Sequence, residues 1–311
     1  MKNIIFKLKI WFKSNMLIRD SVRKVLDIRR KKKYESMVAY INKRYGYLYE
    51  KYNSPVHTAF SSGREEKYQI WVCWFQGEKN MPELVKICYD SLLKNADGHK
   101  VNLITYDNYR DFIDIPDYIV EKHEKNIITA IQLSNIVRAC LLSKYGGLWI
   151  DATYYVSGKL PDFNGLFFWT PKWNRGEKYF PSAQYLESLL YCGHTDNILA
   201  CFLKDAFFDH FKKSNKFTGY YLCSALVFCA YNNIKAVKDF MDVIPYAKQG
   251  CFDLYYRVNS QYNEDWYNSL CEEVNFHKLT YKEKFPKYTN DKKLTYYGHL
   301  WQRWAGSIVE S

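Results

Sequence analysis

Apolar positions along the chain fall into two rhythms, and the rhythms alternate. Residues 68–75, YQIWVCWF, form a compact β-branched and aromatic run closed by Gln76-Gly77, which predicts a buried strand. From Pro82 the spacing lengthens: Leu84, Ile87, Cys88, Ser91 and Leu92 recur at helical intervals, with Pro82 suited to the first helical position. Asp97-Gly98 turns the chain into a second strand over 101–106, and helices are expected near 109–112 and 116–124. Thr129-x-x-Gln132 reads as a capping box ahead of an apolar stripe of Ile136, Val137, Cys140 and Leu141. Gly146 stands where a left-handed cap would end that helix, and a strand over 148–150 delivers Asp151 at its carboxyl end.

Strand, helix, strand, helices, strand is the order of an open α/β sheet flanked by helices, in which ligands bind beyond the carboxyl ends of the strands. The second half is mainly helical by periodicity, over 196–212, 219–231 and 234–241. Residues 276–281, FHKLTY, and 294–297, LTYY, predict short strands or extended loops.

Charge separates the chain into two parts. The formal charge is +12, but residues 1–33 hold twelve Lys and Arg against Asp20 and Asp27, a local +10, leaving +2 for residues 34–311. On a helical wheel Ile4, Ile5, Leu8, Trp11, Phe12 and Ile18 share one broad stripe, with Lys2, Lys9 and Lys13 opposite. A basic amphipathic helix with aromatic residues on its apolar side suits an anionic membrane surface. The expected division is therefore a helical basic arm and linker over residues 1–60, with a helical stretch at 34–52 and a linker near 53–64, and a catalytic domain over 61–311. A nucleic-acid partner is not expected, because the body is nearly neutral and no reader motif accompanies the RRKKK run at 29–33. No apolar run approaches the roughly 18 residues of a membrane span, and Lys7, Lys9 and Lys13 interrupt any signal-peptide core. Nine cysteines without a C-x-x-C pair, most of them in apolar runs, read as reduced buried thiols of a cytoplasmic protein.

Three pieces carry chemistry. Asn135 and Arg138 are three apart and share a helix face. Gly146-Gly147 lets backbone approach closely before the strand that presents Asp151 and Thr153. Trp74 offers a flat surface beside Gln76 and Gly77. An Arg fork matches phosphate oxygens, a carboxylate at a strand end can hold a hard divalent cation that bridges phosphates, and an indole face can stack a base. Singly, each has an ordinary structural reading: a core Trp, a surface Arg, a turn-capping Asp. Their ordered combination suits a nucleotide-sugar.

On these residues the chain resembles the capsular polysaccharide synthesis glycosyltransferases, relatives of glycosyltransferase family 32. The resemblance lies in IWVCWFQG at 70–77, in LSNIVRACLLSKYGG at 133–147 and in LWIDATYYVSG at 148–158, with a later echo in HKLTYK at 277–282. It implies a GT-A-type fold and transfer of a sugar from a nucleotide donor, usually UDP-linked, with retention at the anomeric carbon. The acceptor implied is a growing, lipid-linked capsular or cell-surface polysaccharide, which places the protein in the cytoplasm on the inner face of the plasma membrane. Carried over by position, Trp74 would stack on uracil, Arg138 would contact donor sugar or phosphate, and Asp151 would be the first acid of an Asp-x-Asp motif holding manganese or magnesium. Gln76, Gly77, Asn135, Gly147 and Lys278 join the expected donor site, with His277 as a further candidate beside the departing phosphate. Two positions depart from the wider family: Asn135 stands for an Asp, and Thr153 for the second metal-binding Asp. Those departures leave open a non-catalytic nucleotide-sugar or glycan-binding protein derived from such an enzyme.

Overall fold

Side-chain alternation builds the central sheet. The computed structural model describes residues 16–54, 67–163, 165–172, 187–216, 221–246 and 250–309; the expected apolar stripe at residues 4–12 and most of the linker near 53–64 lie outside them. In β1 (Gln69–Cys73), Ile70 and Val72 face one side and Trp71 the other, all buried. The same split recurs in β3 (Gly147–Ile150), where Leu148 and Ile150 oppose Trp149. Strands buried on both faces need helices on both sides.

The sheet runs β2-β1-β3-β6-β5, with β2 (Lys100–Ile104), β5 (Phe168–Trp169) and β6 (Leu189–Cys192). β1 is parallel to both β2 and β3, while β6 is antiparallel to β3 and β5 to β6. A separate antiparallel pair joins β4 (Tyr154–Val156) to β7 (Phe276–Lys278), with Tyr154 opposite Lys278. The mixed α/β sheet flanked by helices is the architecture the alternation predicts.

Helix Glu83–Asn95 covers the face of Ile70 and Val72 through Val85, Tyr89 and Leu92. Helix Ala130–Tyr145 and the helices Ile198–Lys213 and Leu222–Asn233 cover the other. Pro82 is the N-cap of Glu83–Asn95 rather than its first helical residue, with extended backbone angles (φ −56°, ψ 153°). Thr129 caps Ala130–Tyr145 as the spacing requires, its hydroxyl accepting from the Gln132 N–H at 3.3 Å. The expected extended segment at 294–297 is only half so: Leu294 and Thr295 make isolated bridges, and Tyr296 opens helix Tyr296–Val309.

The expected division at residue 60 does not coincide with the packing. Helices Met16–Arg44 and Gly46–Tyr52 bring Tyr34, Met37, Ile41, Tyr45 and Leu48 into the same core as Phe202 and Leu226. The Tyr34 ring lies 6.3 Å from Phe228, and the Tyr49 and Phe202 rings stack at 5.7 Å. Residues from Tyr34 onward are thus part of the body, while Ile28, Arg29, Arg30, Lys32 and Lys33 remain exposed. No helix among the described residues is long and apolar enough to cross a membrane. All nine cysteines are free thiols, six of them buried.

Candidate active site

Because β1 and β3 run parallel, the residues that follow them leave the sheet at the same edge. Trp74 follows β1 and Asp151 follows β3. Helix Ala130–Tyr145 turns Asn135 and Arg138 toward that edge, and β7 brings Lys278 in from the second sheet. Together Trp74, Asn135, Arg138, Asp151, Thr153 and Lys278 line one cavity of about 470 Å³. A volume of several hundred Å³ is the usual size of a small-ligand site.

Asp151 is the electrostatic centre. Its Oδ2 accepts from Lys278 Nζ at 2.7 Å, its Oδ1 accepts from Trp149 Nε1 at 2.8 Å, and Arg138 Nη2 lies 3.9 Å from Oδ1. Burial works to raise the carboxyl pKa, but Lys278 and Arg138 outweigh it and hold the group below the usual carboxylate range. Arg138 is only 5% exposed. Its Nη2 donates to Asn135 Oδ1 at 2.7 Å, its guanidinium lies 5.1 Å from the Trp149 ring centroid, and its Nε is buried without a hydrogen-bond partner among the described residues. Asn135 in turn donates to Gln132 Oε1 at 3.3 Å, so Gln132, Asn135 and Arg138 form one polar line along the helix. A buried cation so held is a fixed positive charge for a ligand anion.

Trp74 stands at the rim, its ring edge-on to Tyr281 at 5.2 Å and its Nε1 donating to the Asn80 carbonyl at 3.3 Å. Gln76 and Gly77 are outside the cavity lining: the Gln76 carbonyl accepts from Asn80 Nδ2 at 2.7 Å, and Gly77 shapes the turn into the short 3₁₀ segment Glu78–Asn80. Gly147 is also outside it, at the opposite end of β3 from Asp151. Its close backbone approach is to a neighbouring strand, where an added Cβ would meet the Gln69 carbonyl oxygen at 2.3 Å. His277 is fully buried and turned from the cavity, with Nε2 2.8 Å from Ser157 Oγ. Burial pulls its pKa down to about 3, so it carries no charge for a phosphate.

Trp149 and Glu187 also line the cavity, and none of the sequence motifs marks them as site residues. Trp149 shares a strand face with Asp151, two residues on, and that period-2 relation was a signal available in the sequence. Glu187 arrives through the pairing of β6 with β3, where the Asp151 N–H donates to the Ser188 carbonyl at 2.9 Å. Burial pushes the Glu187 carboxyl pKa upward, against the lowering effect of Arg138 and of a hydrogen bond with Ser224. Cys73 and Cys223 also line the cavity, but burial raises both thiols, Cys223 to about 12, which leaves them poor nucleophiles.

Asp151 and Thr153 were the expected metal pair, and they do not fit a protein-held divalent cation. Both Asp151 oxygens already accept hydrogen bonds, one of them from an ammonium. Thr153 supplies a neutral hydroxyl, and no cluster of three or more His, Cys, Asp or Glu able to hold a metal exists among the described residues.

Among solved structures the chain is similar to one described as PaToxG Glycosyltransferase, at 15% identity over 72% of this chain and 91% of that one, with a TM-score of 0.40. A comparison with curated proteins found no match. The sequence profile described as capsular polysaccharide synthesis protein matches residues 20–300, which takes in every residue placed in the cavity above. The chain belongs to the capsular polysaccharide synthesis protein family.

Proposed function

We propose that this chain is a glycosyltransferase that moves a sugar from a nucleotide donor, UDP-linked, to a growing polysaccharide of the cell surface. The observation that carries the reading is the convergence of Trp74, Asn135, Arg138, Asp151 and Lys278 on one cavity at the carboxyl edge of the parallel strands. An indole at the rim suits a nucleobase. The Arg138 guanidinium and Lys278 ammonium suit the diphosphate, whose negative charge grows as the sugar departs. Preorganised cations aimed at that charge favour the transition state over the bound donor. Glu187, in the turn that leads into β6, adds a carboxyl to the cavity lining, a group that suits the hydroxyls of a sugar ring.

Retention of anomeric configuration and a lipid-linked acceptor are finer parts of the same proposal, supported by the resemblance to capsular transferases. The exposed Arg29, Arg30, Lys32 and Lys33 support an anionic membrane surface as the place of work, on the cytoplasmic side. Each basic residue near such a surface contributes roughly 1 kcal/mol.

A donor screen with purified protein tests the reading. Release of UDP from one member of a panel of UDP-sugars should occur, and Arg138→Ala and Asp151→Ala should each lower kcat/KM at least about 100-fold, the range for loss of preorganised electrostatic groups. Circular dichroism should show both variants folded. Donor binding without release or transfer across donors and acceptors would favour a non-catalytic sugar-nucleotide binder instead, a reading that Asn135 and Thr153, both uncharged, keep specific.

A further inference from the structure

The cavity already contains a cation at the place where a metal would be sought. Lys278 is fixed from three directions. Its backbone N–H donates to the Cys251 carbonyl at 2.7 Å, its ammonium lies 4.7 Å from the Tyr154 ring centroid, and Nζ rests on Asp151 Oδ2 at 2.7 Å. The side chain is 17% exposed, so the strand pairing of β7 with β4, rather than solvent, sets its position. A divalent ion would need to approach a carboxylate oxygen to about 2.1 Å. At Oδ2 the side facing Lys278 is already taken by the ammonium, and at Oδ1 an ion competes with the indole N–H and faces Arg138. Like charges at such separation repel strongly in a partly buried site.

We propose that Lys278, clamped by Asp151, is the resident cation of this cavity, and that with Arg138 it binds the nucleoside diphosphate without a divalent metal. The proposal rests on the nucleotide-sugar reading of the site. An ammonium carries three donors, and Asp151 takes one, which leaves two N–H groups for diphosphate oxygens. In the transfer step the acceptor hydroxyl oxygen forms a bond to the anomeric carbon as the bond from that carbon to the diphosphate oxygen breaks. The electron pair stays on the diphosphate, beside Lys278 and Arg138, and the hydroxyl proton passes to the departing diphosphate. Asp151 acts here through Lys278, as a positioning residue.

Calorimetric titration of the full chain with UDP, once in excess EDTA and once in millimolar manganese, tests this directly. The wild-type affinity should agree between the two buffers within about threefold. Lys278→Ala and Lys278→Met should each weaken UDP at least tenfold in EDTA, with Lys278→Arg recovering part of the loss; two neutral variants guard against a folding defect in one. Binding of UDP only in manganese would overturn the metal-free assignment and leave the nucleotide-sugar reading standing. Wild-type affinity in both neutral Lys278 variants would likewise overturn the role of Lys278 alone. No binding of UDP, GDP or ADP in either buffer would overturn both.

Discussion

Asp151 serves this site as an anion whose neighbours are cations. The value of its carboxylate therefore lies in charge more than in shape, and Asp151→Asn should reduce transfer nearly as far as Asp151→Ala. Steady-state kinetics on the two variants would check this, and near-normal turnover in the Asn variant would contradict it. His277 gives the second residue-scale prediction, on stability. Its folded pKa of about 3 lies below the ordinary 6.5, so between those values the unfolded chain binds a proton that the native state refuses. Stability should then fall as pH drops from 6.5 toward 3, with a slope from this residue of up to about 1.4 kcal/mol per pH unit. Denaturant unfolding at pH 7, 6 and 5 should show the slope, and His277→Gln should flatten it by about one proton. At this scale Trp74, Arg138 and Asp151 were legible because each sits at the edge of a strong pattern, a strand end or a capped helix face. Glu187 was not, because it reaches the cavity through an antiparallel pairing with β3 that no local spacing announces. Gln76, Gly77 and Gly147 lie beside the motif residues in sequence, yet backbone direction takes them elsewhere.

The elements place the site by their ends. Gly146 and Gly147 illustrate how a turn can be fixed by packing: both have positive φ, +64° and +91°, and a Cβ at either would meet neighbouring backbone. At Gly147 the clash is with the Gln69 carbonyl on β1, so the glycine is what lets β3 lie beside β1 and point Asp151 at the cavity. Gly147→Ala should destabilise the protein by roughly 3 kcal/mol or more, the range for forced backbone strain together with core overlap. A chemical-denaturation midpoint unchanged from wild type would contradict that account. Element types were largely readable from the sequence, because β1, β3 and the helix at Ala130–Tyr145 combine strong periodicity with turn residues. Residues 294–297 were harder, since a four-residue run supports a strand end or a helix start equally and tertiary contacts decide.

At the scale of the molecule, the basic arm and the transferase body overlap within one helix. Met16–Arg44 carries exposed Arg29, Arg30, Lys32 and Lys33 ahead of Tyr34, Met37 and Ile41, which are core. Removing residues 1–33 should therefore leave a folded protein that no longer sediments with anionic liposomes, whereas removing 1–52 should abolish soluble expression by opening the core around Phe202. Unchanged liposome binding in the shorter truncation would show the arm misassigned. The charge segregation behind this was visible in the sequence, but the buried face from Tyr34 onward was not separable from an exposed helix by charge alone. One cavity holding one ligand class is the centre of the proposed function. A crystal structure of the chain with UDP tests that most directly. The account predicts uracil against Trp74 and diphosphate oxygens within hydrogen-bond distance of Arg138 and Lys278; UDP bound elsewhere, or a cavity in which those side chains contact no phosphate, would contradict it.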